Sequence, residues 1–190
     1  MLEKKYIAGL RKSMLGYSLK RRDVIKQSGD GLHHAKRAIF AMHRDNLKEA
    51  GQKLKEVEKI FKDLNKKYAK EKKLLSEGSY NAGLEEYVEA SLFYQFLTTG
   101  KMGQIKGLEV PAHIYIAGLC DVPGELQRFA VKAATARDIA TTKKCAEAAQ
   151  QITGELIEFN LTSYLRTKFD QANGAVRRID QVVYELSLRE

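Results

Sequence analysis

Apolar residues recur every three or four positions along most of this chain, and proline, the residue that most reliably stops a helix, occurs only at Pro111 and Pro123 in 190 residues. Tryptophan is absent, and Ala, Leu, Lys and Glu are abundant, so local propensity and hydrophobic period agree on helix throughout. With 44% hydrophobic residues there is enough apolar surface for a real core. The expectation is a single all-α domain over residues 1–190, since no repeat, low-complexity run or linker divides it.

The segments follow from where the period breaks. Residues 2–27 read as a first amphipathic helix, with Ile7, Leu10, Met14, Tyr17, Val24 and Ile25 among many cations, and Ser28-Gly29-Asp30-Gly31 predicts its end. A second helix follows, with Leu32, Ala35, Ile39 and Met42 on one stripe and Lys36, Arg37, His43 and Arg44 off it. A third is predicted from about Asp45 to Leu75, its lysines partly paired with glutamates as in Glu49 and Lys53, which makes that face a solvated one. Glu77-Gly78-Ser79 opens a fourth, more apolar helix over Tyr80 to Leu97. Thr98 to Val110, with three glycines, reads as a loop. Pro111 suits the first turn of the next helix, which runs to about Ala136, and Pro123 predicts a kink or a junction inside it. Asp138 to about Lys168 reads as one helix or two, and Val176, Ile179, Val182, Val183 and Leu186 define the last.

Several chemistries have no residues to carry them. There is no G-x-S-x-G, P-loop or dinucleotide fingerprint, and no Glu-x-x-His pair of the kind that holds di-iron in helical bundles. Cys120 and Cys145 lack zinc spacing and read as buried thiols of a reducing cytosol. No uncharged run is long enough for a membrane span, and Met1 to Lys12 is too charged for a signal peptide, so a cytoplasmic protein is expected. Thirty-three Lys and Arg against 24 Asp and Glu leave a net charge of +9, which favours a polyanionic partner, nucleic acid ahead of a membrane surface.

Acids stand where apolar helices should exclude them. Glu86 and Glu89 are three apart on the fourth helix, and Asp121 and Glu125 four apart on the later one, so each pair shares a helix face. Glutamates at such spacing are commonplace on helix surfaces. Here, however, Val88, Leu92, Phe93 and Phe96 flank one pair, and Ile114, Ile116, Leu119 and Leu126 the other, marking mostly buried helices. Carboxylates crowded into apolar surroundings need cations, and all-oxygen donors are what Mg²⁺ or Mn²⁺ prefers. Tyr80, Tyr87 and Tyr94 recur every seven residues, a stripe read as packing ahead of base stacking.

Four blocks in order resemble the translin family, and in particular its catalytic TRAX branch. They are Ala35-Lys36-Arg37-Ala38-Ile39-Phe40-Ala41-Met42-His43-Arg44, Gly83-Leu84-Glu85-Glu86-Tyr87-Val88-Glu89-Ala90, Asp121-Val122-Pro123-Gly124-Glu125-Leu126-Gln127-Arg128, and the closing Val182 to Arg189. The resemblance implies a translin-like bundle of about seven helices that forms hollow oligomers, commonly octamers, and binds single-stranded RNA or DNA. It further implies a metal-dependent endoribonuclease using Mg²⁺ or Mn²⁺, with Glu86, Glu89 and Asp121 as catalytic, metal-holding acids and Glu125 as a fourth. Lys36, Arg37, His43 and Arg44 are the expected nucleic-acid contacts. Pro123 departs from the family pattern, and the loop between the acidic helices is shorter than in animal TRAX. One compact chain type implies a homo-oligomer, as in archaeal relatives. The competing expectation is a non-catalytic, translin-like protein that coats single-stranded nucleic acid.

Overall fold

The computed structural model describes residues 1–188; Arg189, which ends the closing block, lies outside them. Six α-helices account for nearly all of it: α1 (Lys4–His43), α2 (Leu47–Lys67), α3 (Gly78–Thr99), α4 (Ala112–Thr135), α5 (Ile139–Ile157) and α6 (Ser163–Ser187). A single 3-10 turn, Leu74–Ser76, lies between α2 and α3. No strand is present among the described residues, as an all-α reading requires.

The two helices expected before residue 45 are one. Ser28 and Gly31 do not break α1 because both are buried against neighbouring helices. A Cβ at Gly31 would stand 2.8 Å from the Phe61 ring, and one at Gly83 of α3 would stand 3.0 Å from the Ser28 carbonyl oxygen. The small residues let α2 and α3 approach closely, and packing overrides their weak helix propensity. Continuity of α1 lowers the helix count from the expected seven to six.

The other boundaries are set by local chemistry. Asn46 caps α2 by accepting from the Glu49 N–H at 3.1 Å, and Asp138 caps α5 by accepting from the Thr141 N–H at 3.0 Å. The helix α2 stops eight residues short of the predicted Leu75. Its end is pinned to α1 where the Tyr68 hydroxyl and the Lys67 ammonium donate to Asp23, at 2.6 and 2.9 Å. Gly100, at φ +73°, ends α3 in the left-handed conformation that glycine tolerates best. Pro123 lies within a continuous α4 and is buried there, so it marks no junction. The Asp138 to Lys168 segment is two helices, because the chain turns between Ile157 and Ser163, where Asn160 takes a positive φ of 47°.

Two three-helix groups, α1 with α2 and α3, and α4 with α5 and α6, join where α3 packs on α4. Phe61, Phe93, Met42, Leu64, Leu84, Leu92, Leu126, Leu156 and Ile179 are fully buried in the core. The acid-bearing helices therefore form the central seam. Gly118 permits their approach: a Cβ there would lie 2.7 Å from the Glu85 carbonyl oxygen and from Val88 Cβ. No helix is long and apolar enough to cross a membrane among the described residues.

Candidate active site

The seam between α3 and α4 brings all four predicted acids within electrostatic reach of one another. Glu89 is the deepest, 9% exposed. Burial, and then the charges of Asp121, Glu86 and Glu125, raise its carboxyl well above the usual range. It makes no hydrogen bond or ion pair among the described residues. Glu86 is also raised, first by burial, although Lys36 opposes the shift from 3.8 Å away. A buried carboxylate without a counter-ion is costly, so Glu89 favours a proton or a nearby cation.

The other two acids have protein cations of their own. Asp121 Oδ2 accepts from the Lys168 ammonium, which also donates to Glu85 Oε1 at 2.5 Å. Burial nevertheless dominates and raises the Asp121 carboxyl. For Lys168, burial works to lower the ammonium's pKa, but the two carboxylates outweigh it and hold the charge in place. Tyr164 closes this group, its hydroxyl donating to Glu85 Oε1 at 2.8 Å and its ring lying 5.4 Å from Lys168 Nζ. Glu125 shares a hydrogen bond with His43 Nε2 and is reached by Arg128 at 3.0 Å. Burial would raise the Glu125 carboxyl, but His43 and Arg128 together hold it below the usual range.

The basic residues expected on α1 divide into two kinds. Lys36, Arg37 and Arg44 are exposed, and Lys36 reaches the seam at Glu86. His43 is instead tucked between α1 and the seam, its ring 5.2 Å from that of Phe93, and it serves Glu125. The tyrosine stripe is largely interior: Tyr80 and Tyr87 are buried, Tyr80 bonding Asn65 and packing edge-on to Phe61, while Tyr94 is half-buried. Cys120 and Cys145 are buried free thiols, pushed up to about 12 mainly by burial.

Lys168 and Glu85 were not singled out from the sequence. The signal was there in α6, where Lys168 interrupts the apolar stripe of Leu165, Phe169, Ala172, Ala175 and Ile179. A lone cation on a core stripe needs a buried partner.

The donor set suits a hard divalent cation in kind, being made of carboxylate oxygens, with the unpartnered Glu89 at its centre. It is not a preassembled cage: among the described residues no three His, Cys, Asp or Glu side chains are gathered closely enough to hold an ion. Asp121 and Glu125 are engaged by Lys168 and His43.

Comparison with known proteins places the chain in a family. A Translin-associated protein X homolog of Schizosaccharomyces pombe is 25% identical over 196 residues, covering 90% of this chain and 82% of that protein. Among solved structures, apo-NeC3PO superposes with a TM-score of 0.86 at 21% identity, covering 98% of each chain. AfC3PO in a complex with duplex RNA superposes at 0.85 with 23% identity, over 97% of this chain and 98% of that one. The translin family model matches residues 19–190, which include every acid of the seam and the basic run from Lys36 to Arg44. The chain belongs to the translin family.

Proposed function

We propose that this protein is a metal-dependent endoribonuclease that hydrolyses phosphodiester bonds in single-stranded RNA, with the α3–α4 seam as its active site. The observation that carries the reading is Glu89, a buried carboxylate with no ion pair among the described residues, amid three further acids. The similarity to a relative solved with duplex RNA supports RNA as the ligand, and the similarity to a TRAX homolog supports the family branch.

Glu86, Glu89 and Asp121 would hold Mg²⁺ or Mn²⁺, with Glu125 as the fourth acid. When bound, the ion supplies Lewis acidity toward water and toward the phosphate oxygens. The protein's own groups do the rest. Lys36, Arg37 and Arg44 bind the phosphate backbone from the edge of α1, where they are free to reach solvent. His43 orients Glu125 by their shared hydrogen bond, and Arg128 braces the same carboxylate. Lys168 holds Asp121 in place and balances its charge.

A homo-oligomer, an octamer by the family resemblance, completes the proposal. The N-terminal turns of α1 leave Tyr6, Leu10, Met14, Leu15 and Leu19 exposed. A cytoplasmic location is part of the same reading.

A second reading is a non-catalytic binder of single-stranded RNA or DNA. It is favoured by the commitment of Asp121 to Lys168 and of Glu125 to His43. One assay separates the two. Labelled single-stranded RNA is incubated with the protein in Mg²⁺, Mn²⁺ or EDTA, beside a Glu89→Ala variant. Cleavage that needs metal and vanishes in the variant is expected. Tight, salt-sensitive binding with no cleavage in either metal would replace the nuclease with the binder.

A further inference from the structure

Phe40 breaks the pattern of the packed C-terminal part of α1. Ala35, Ala38, Ile39, Ala41 and Met42 around it are all buried, as apolar residues of an amphipathic helix should be, whereas Phe40 is 57% exposed. Its neighbours one turn away are all cationic or basic: Lys36 and Arg37 precede it by four and three residues, and His43 and Arg44 follow it by three and four. The Arg44 guanidinium lies 5.4 Å from the centre of the Phe40 ring, so the ring already accepts a cation on its π face.

The ring is also placed against the acids. Lys36, one turn before it, reaches Glu86 at 3.8 Å, and His43, just under one turn after it, is bonded to Glu125. Phe40 thus stands within a helical turn of two side chains that touch the acidic seam. We infer that Phe40 is a nucleobase-stacking side chain that, with Arg44 beside it, seats one base of a single-stranded RNA at the edge of the acidic site. This rests on the nucleic-acid-binding part of the function proposed above and names a residue within it.

The charge around the ring selects the occupant. An apolar protein surface would have to cover Lys36, Arg37 and Arg44 without pairing them. A second copy meeting this face symmetrically would set those cations against their own equivalents, in a chain whose net charge is already +9. A single strand offers a flat base to the ring and phosphates to the cations around it, and stacking is indifferent to which base is offered. The tyrosines at seven-residue spacing in α3 do not compete for this role, since Tyr80 and Tyr87 are buried.

The absence of tryptophan makes a direct test available. In Phe40→Trp the single indole reports on the site, and binding is followed in EDTA so that no strand is cut. An oligouridylate is expected to quench its fluorescence, and an abasic strand of equal length and charge is not. Phe40→Ala is expected to weaken binding of the oligouridylate about tenfold while leaving the abasic strand unaffected, the scale of one lost base stack. Equal loss for both strands, no loss for either, or an unquenched indole on a bound strand would overturn the assignment. So would light scattering that shows Phe40→Ala to change the subunit number, because the ring would then be covered by another copy. Failure of the wild-type chain to bind either strand would instead remove the nucleic-acid reading itself, and the two failures are told apart by that control.

Discussion

Lys168 shows how a single side chain can hold two parts of the fold together. It rises from α6, only 9% exposed, and its ammonium is shared by Glu85 of α3 and Asp121 of α4. Breaking a buried ion pair from one side leaves the opposite charge uncompensated, at a cost of about 3–5 kcal/mol. Both carboxylates keep some contact with solvent, so the lower end applies. Lys168→Met is expected to lower stability by about 3 kcal/mol, a fall in Tm of roughly 6–12 °C for a chain of this size. Thermal unfolding in EDTA measures it. A variant as stable as the parent would mean that solvent already screens the trio, and that the bridge contributes nothing. Pairing Lys168→Met with Glu85→Gln would recover part of the loss if the penalty comes from stranded charge.

At the level of elements, the approach of α3 to α4 depends on Gly118. On an exposed helix face, glycine to alanine stabilises by up to about 1 kcal/mol, because alanine has the better helix propensity. At Gly118 the added methyl would meet the Glu85 carbonyl oxygen and Val88 Cβ at 2.7 Å, and backbone cannot step aside cheaply. Overpacking of this kind costs about 1–3 kcal/mol, so the sign reverses. Gly118→Ala should destabilise, whereas Gly154→Ala in α5, with nothing within 4 Å of the new methyl, should stabilise. Urea unfolding of the two variants side by side checks this. Equal shifts would show that the seam relaxes freely and that Gly118 does not set its width.

For the whole molecule, the exposed N-terminal turns of α1 are the outstanding feature. Tyr6, Leu10, Met14 and Leu19 stand in the open, and the space around Gly9 and Gly16 is empty of other elements. An apolar helix face extending from a bundle is expected to be covered by other copies of the chain. Changing Leu10 and Met14 together to glutamate should reduce the assembly to a smaller species by light scattering while leaving the helical circular dichroism intact. A wild-type chain that is already a monomer at micromolar concentration would sink the oligomer, and with it any role for this face in assembly.

The helical class, the near absence of breakers and the two pairs of acids on apolar helices were legible in the residue order alone, because each is a property of short-range spacing. So was the basic run from Lys36 to Arg44. The length of α1 was not legible. Ser28 and Gly31 read as a break until Phe61 and α3 are packed against them, and local propensity has no knowledge of such neighbours. Pro123 likewise reads as a kink or junction, yet α4 continues through it between α3, α5 and α6. The counter-ions of the site were hidden for the same reason: Lys168 lies 47 residues from Asp121, and His43 lies 82 residues from Glu125. Sequence spacing settles what a helix can present on one face. Which face meets which, and which charge is left without a partner, depends on contacts made across the whole chain, and only the tertiary structure decides it.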